Sequence, residues 1–114
     1  MVQLSFEASV EGRDAAMRQA EEHAQEVWRD AAMDAIWETA KIYHRFIVDQ
    51  VWTFMPDRVQ THEKRAMGPM MVKAVKEGWI AQTDEYRLSE RVASHRNPRR
   101  VWQSLIHSEG AHNA

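Results

Sequence analysis

The first third of the chain carries an apolar pattern with helical spacing. From about Glu11 to His44, apolar residues recur at steps of three and four, at Ala16, Ala20, Ala24, Val27, Ala31, Ala35 and Ile36. No proline interrupts this stretch, and its only glycine, Gly12, lies at its start. The pattern predicts one helix of about 30 residues, with a break near His23 as the alternative, because globular helices are usually shorter.

An extended step and a short helix follow. Residues 45–48 include two β-branched side chains, which favour an extended backbone. Asp49 is then predicted to cap a short helix over 50–55, and Pro56 and Asp57 favour a turn that ends it.

The pattern after residue 60 predicts a helix, a strand, a loop and a second strand. Thr61 is a plausible N-cap for a helix over 62–77, and Gly78 is a typical stop. Pro69 would cost about 3 kcal/mol inside a regular helix, so the helix either starts late or is kinked. Strands are predicted over 79–83 and 100–106, with the polar loop 84–98 between them.

This order of elements is typical of the second half of a winged helix-turn-helix. The predicted fold class is therefore mainly α, with a three-helix core, a two-stranded β wing and a long N-terminal helix. The predicted organisation is a partly helical extension over 1–25, a domain over 26–106 and a disordered tail over 107–114.

Composition narrows the class of protein. The 114 residues suit one domain, and the absence of cysteine excludes disulfides and thiolate metal sites. No apolar run reaches membrane-spanning length and no signal peptide is visible, so a cytoplasmic protein is expected. Residues 1–57 carry five Lys/Arg against eleven Asp/Glu, whereas residues 58–114 carry ten against six. The second half is the one expected to face a polyanion.

The candidate binding residues are the basic side chains of that second half. They are His62, Lys64, Arg65, Lys73 and Lys76 on the predicted helix, and Arg87, Arg91, Arg96, Arg99 and Arg100 in and after the wing. The first residues of the helix could reach base edges in a major groove, while the wing arginines could hold the DNA backbone. The alternative is that these charges only solubilise a scaffold that binds protein.

Other chemistry has weaker support. The six histidines form no ligand pair, so neither a metal nor a cofactor is expected. The acidic residues of the first helix predict a solvated face, or a mimic of nucleic acid that occupies a basic partner. Most tryptophans are expected to lie in the core. Trp102 is the candidate for base stacking, because it lies beside Arg99 and Arg100. No catalytic motif is present, and the chain is not expected to be an enzyme.

The run THEKRAMGPMMVKAVKEGWIAQT, followed by SHRNPRRVWQSL, resembles small winged-helix proteins of bacteriophages and actinobacterial prophages. The segments EVWRDAAMDAI and VDQVW belong to the same likeness, which covers Glu26 to Ile106. The resemblance implies a helix-turn-helix fold, DNA binding and, for a viral protein, the host cytoplasm. It does not extend to the alanine-rich stretch 11–25, so the oligomeric state stays open.

The expected function is that of a phage-type protein that binds double-stranded DNA in replication, recombination or gene control. Helix 62–77 would enter the major groove, and the wing 84–98 would lie on the backbone. A homodimer through the wide apolar face of the N-terminal helix is reasonable. The alternative is an adaptor or inhibitor whose helical surface binds a host or replication protein.

Overall fold

One long helix, two short helices and a small antiparallel sheet make up the structure. A computed structural model describes the backbone of residues 2–59, 64–91 and 97–107, and the side chains of 11–59, 65–91 and 97–107. The elements are α1 (Val2–Ile42), β1 (Arg45–Phe46), α2 (Val48–Thr53), a 3-10 turn (Lys64–Ala66), α3 (Met67–Lys76), β2 (Ile80–Leu88) and β3 (Pro98–Ser104).

The three strands pair in the order β1-β3-β2, and both pairings are antiparallel. Phe46 of β1 lies opposite Trp102 of β3, and Ile80 of β2 lies opposite Ser104. The register between β2 and β3 shifts between Gln82 and Tyr86. A shift of this kind increases the local twist and re-aims the side chains beyond it.

The predicted winged helix-turn-helix class is wrong. The structure has one long helix, two short helices and a three-stranded sheet, in place of a three-helix core and a two-stranded wing. β1 pairs with the second edge of β3, which would otherwise present unpaired backbone groups. The residue pattern at 45–48 favoured an extended backbone but held no sign of this distant partner.

The predicted helix 62–77 is shorter than expected. α3 begins at Met67, after the 3-10 turn, so Pro69 lies in its first turn, where it costs no backbone hydrogen bond. The late start is the first of the two alternatives for this helix. Gly78 ends α3 as predicted, with φ of +81°, a conformation that glycine adopts without strain. The predicted cap Thr61 lies outside the described residues.

The loop predicted over 84–98 is shorter in the structure, because β2 continues to Leu88. Residues 84–88, which the sequence predicts as a polar loop, belong to β2, and Tyr86, Arg87 and Leu88 among them pair with β3. The segment 92–96 lies outside the described residues.

The core lies under the C-terminal half of α1. One face of this helix is buried from Trp28 onward, and Ile36 and Ala40 are fully inaccessible. That face packs against side chains of the sheet and the short helices, namely Phe46, Val51, Met67, Met71, Ala74 and Ile80. Burial of these large apolar side chains is the main stabilising contribution to the fold.

The N-terminal half of α1 continues without a break past His23 and past the predicted domain boundary at residues 25 and 26. Its described side chains from Glu11 to Val27 are exposed, apart from the half-buried Ala15. The described structure is accordingly elongated, with a longest dimension of 73 Å. The boundary itself stays a prediction.

Candidate functional site

A groove rich in arginine and tryptophan lies between α2, the start of α3 and β3. Its volume is about 570 Å³. Its polar and aromatic lining consists of Arg65, Arg91, Arg99, Arg100, Trp52 and Trp102, and Met67, Gly68 and Met71 complete the α3 side. We call this surface the arginine groove.

Backbone geometry explains why Arg100, Trp102 and Arg65 reach this groove, whereas Arg99 starts from the opposite face of β3. Arg99 and Arg100 are successive residues of β3, so their side chains start from opposite faces of the sheet. Arg100 and Trp102 start from the same face, because they are two residues apart. Arg65 enters from the 3-10 turn that precedes α3.

Asp49 holds the segment that carries Arg91. Its carboxylate accepts the hydroxyl hydrogen bond of Ser89, whose Oγ lies 2.9 and 3.1 Å from the two carboxylate oxygens, and a second bond from the backbone N–H of Glu90 at 2.8 Å. The Ser89 hydroxyl in turn accepts from the backbone N–H of Arg91 at 3.2 Å. These bonds fasten the end of β2 to α2, and Ser89 is almost completely buried. We call this set of contacts the Asp49 clasp.

Arg91 lies over a tryptophan. Its guanidinium carbon is 4.5 Å from the centroid of the Trp52 ring, within the range of a cation–π interaction. Trp52 also contacts the core, because its ring centroid lies 6.4 Å from that of the buried Trp28. The position of the Arg91 charge is thus set by the Asp49 clasp on one side and by an indole on the other.

Arg100 is held by β2. Its Nη1 donates to the backbone oxygen of Thr83 at 2.6 Å, and its Nη2 donates to the hydroxyl of Tyr86 at 2.9 Å. Tyr86 lies opposite Arg100 in the sheet. A guanidinium has five N–H donors, so two hydrogen bonds orient the group without exhausting its capacity.

The electrostatic character of the groove is positive. Among the described residues that line it, none is Asp or Glu. The side-chain partners of Arg91 and Arg100 are an indole ring, a phenol and a carbonyl, all of them neutral. By contrast, Arg45 on the same sheet forms an ion pair with Glu85. Among the described residues, no ion pair joins Arg91 or Arg100 to a carboxylate, although Arg91 also borders the neighbouring depression that contains Asp49 and Glu90.

The predicted site residues separate into three groups. Arg65, Arg91, Arg99 and Arg100 meet in the arginine groove. Lys73 and Lys76 are exposed in the last turn of α3 and do not line it, while Arg87 lines a neighbouring depression that also contains Asp49 and Glu90. His62 and Arg96 lie outside the described residues, and only the backbone of Lys64 is described.

Three contributors to this surface, Trp52, Asp49 and Tyr86, are not recognisable as such from the sequence. Trp52 was assigned to the core, Asp49 to a helix cap, and Tyr86 to no role. Their function in the groove depends on contacts between α2 and β2 or within the sheet, which residue spacing does not reveal. Trp102 could be anticipated, because it follows two arginines in one strand.

Within the described part of the chain, no helix combines the length and the apolar character needed to cross a membrane. Among the same residues, His, Asp and Glu side chains form no group of three or more that could hold a metal ion. Comparison of the chain with protein-family models, with curated proteins and with solved structures finds no match.

Proposed function

We propose that the chain is a nucleic-acid-binding protein that holds the phosphate backbone of double-stranded DNA in the arginine groove. Four guanidinium groups from three segments of the chain line this one surface, and no carboxylate stands among the described lining residues. Convergence of this kind favours a polyanionic ligand over the alternative of scattered solubilising charges.

Guanidinium chemistry suits this ligand. The planar fork of Arg can donate two parallel hydrogen bonds to one phosphate, and it keeps its charge at every physiological pH. Arg91 and Arg100 are already oriented by neutral partners, so their ordering costs little side-chain entropy on binding. Preorganisation of this kind improves affinity without requiring additional contacts.

The contact surface differs from the one expected from sequence. The first turn of α3 borders the groove through Met67 and Gly68, whereas Lys73 and Lys76 lie in its last turn. The proposed contact therefore uses the start of α3 together with β3 and Arg91, and not the full length of a helix.

The test is a titration of a labelled random-sequence DNA duplex followed by fluorescence anisotropy at about 50 and 200 mM salt. Non-specific binding with a Kd on the order of 10⁻⁶ to 10⁻⁴ M, weakening steeply with salt, is expected because phosphate contacts release counterions. Arg29→Ala is the matched control for a groove variant such as Arg100→Ala. Arg29 is an exposed arginine of α1 that does not line the groove. An absence of binding at low salt would contradict the proposal.

A protein adaptor is the second candidate function. Asp30, Asp34 and Glu38 follow one another at four-residue spacing on α1 and line a separate groove of about 360 Å³ beside Phe54 and Val59. Carboxylates bordering apolar side chains suit a basic protein surface. If the duplex titration fails, capture experiments with a wild-type bait and an Asp30→Asn, Asp34→Asn control bait would test this function.

A further inference from the structure

The N-terminal half of α1 has no packing partner within the described structure. Residues 2–27 correspond to about 39 Å of helix at 1.5 Å per residue. The first side chain of α1 that is buried among the described residues is Trp28. Because most helical stability in proteins comes from packing of an apolar face, a projecting helix of this length indicates a missing neighbour.

An apolar seam runs along this projecting half and continues to the half-buried Ala31. Met17, Ala20, Ala24, Val27 and Ala31 follow one another at alternating steps of three and four, which is the a and d spacing of a coiled coil. Met17 is 58% exposed and Val27 is 40% exposed, so the seam presents large apolar groups to water. The alanines between them allow the backbone of a second helix to approach closely.

Charge favours one relative direction of two such helices. Residues 11–18 carry two acidic and two basic side chains, whereas residues 21–38 carry six acidic side chains and the single arginine Arg29. A parallel pair would set the two acidic stretches side by side. An antiparallel pair sets each acidic stretch against the end of the helix that carries Arg13 and Arg18.

The seam is also complementary to itself in the antiparallel direction. A register that matches Met17 with Val27 of a second copy also matches Ala20 with Ala24. The same register places Arg13 beside Ala31 of the second copy, at the groove whose lining contains the carboxylates of Asp30, Asp34 and Glu38 and one arginine, Arg58. Equivalent contacts made twice around a two-fold axis are the usual form of a closed homodimer.

We infer that two copies of this chain associate as an antiparallel helical pair through the seam Met17, Ala20, Ala24, Val27 and Ala31. This inference does not depend on nucleic-acid binding. The occupant of the exposed face of α1 is the same face of a second chain, and Arg13 lies beside Asp30 and Asp34 of its partner.

The first test is the molar mass in solution, measured by size-exclusion chromatography with light scattering on the full chain at about 100 µM. A mass of twice 13.3 kDa is expected. Ala24→Glu inserts a charge into the seam while keeping a good helix former, and it should weaken the dimer at least tenfold. Gln25→Glu is the control with the same added charge outside the seam. A monomeric wild-type chain, or equal dimerisation of the two variants, would overturn the inference.

The direction of the pair has its own test, which does not depend on how Ala24→Glu folds. The chain contains no cysteine, so single substitutions give clean cross-links. A mixture of Ala20→Cys and Ala24→Cys chains should form a mixed disulfide dimer, and neither variant alone should do so efficiently. Efficient cross-linking of each variant with itself would indicate a parallel pair and contradict the inferred arrangement.

Discussion

The carboxylate of Asp49 in α2 accepts the single hydroxyl hydrogen bond of Ser89, whose Oγ lies 2.9 and 3.1 Å from the two carboxylate oxygens, across 40 residues of sequence. Together with the bond from the Glu90 N–H, this contact ties the end of β2 to α2 and positions Arg91. The Asp49 clasp is therefore expected to stabilise the fold and also to fix the position of Arg91 in the arginine groove.

Asp49→Ala should lower the free energy of unfolding by about 1–3 kcal/mol, because hydrogen bonds to a charged, partly buried acceptor are lost. The same variant should bind duplex DNA more weakly, since Arg91 loses its fixed position. Urea denaturation and anisotropy measure the two effects. Asp84→Ala removes the same charge from an exposed strand residue and serves as the control. Equal DNA affinity of the two variants would disprove the positioning role of Asp49.

Arg100→Ala should weaken duplex binding and reduce the slope of log K against log salt by about one, the value for one lost phosphate contact. Arg100→Lys should keep the salt slope but lose affinity, because a lysine cannot reproduce the fork held by Thr83 and Tyr86. The measurement is the same anisotropy titration at several salt concentrations. A slope that stays unchanged in Arg100→Ala would remove this residue from the interface.

The contact between Arg91 and Trp52 should contribute about 0.5–1 kcal/mol to stability, as expected for a partly exposed cation–π pair. A double-mutant cycle with Arg91→Ala, Trp52→Leu and the combined variant isolates this coupling energy. Denaturant unfolding of the four proteins supplies the values. Simple additivity of the two single changes would show that the ring does not hold the guanidinium.

Gly78→Ala should destabilise the fold by about 1–2 kcal/mol. The cost is conformational, because φ at this position is +81° and an added Cβ meets no atom within 4 Å. Gly12→Ala is the matched comparison in α1, where the added Cβ also meets no atom within 4 Å but φ is ordinary and no proline follows. That change should stabilise the protein by about 0.5–1 kcal/mol, because alanine is the better helix former. Thermal unfolding of the two variants should thus shift in opposite directions.

Local rules predicted the parts of the fold that depend on neighbouring residues. The long helix and the stop at Gly78 follow from propensity and backbone chemistry over a few positions, and the late start of α3 is one of the two alternatives that Pro69 leaves open. The presence of β1 in the sheet does not follow from local rules. This strand has only two residues and is defined by its pairing with Gln103 and Trp102. A pattern so short carries no information about a partner in the last strand.

Asp49 and Gln50 illustrate the same limit within the site. The sequence predicts that Asp49 caps the helix after it, yet Gln50 Oε1 accepts the hydrogen bond from the Ile47 N–H at 2.9 Å. Asp49 is then available to Ser89. Because α2 begins at Val48, Asp49 lies inside the first turn and not at the cap position, and its carboxylate accepts from Ser89 and Glu90. The arginines of the groove were anticipated by charge, but their arrangement around Trp52 was not.

Trp52 belongs to the interior and to the binding surface at once, since one indole contacts both Trp28 and Arg91. A ligand that engages Arg91 must therefore change the surroundings of a chromophore in the protein itself. Occupation of the groove becomes observable as a change in intrinsic fluorescence, without any label on the nucleic acid. It should also appear as a rise in melting temperature, because a ligand that binds only the folded chain stabilises it.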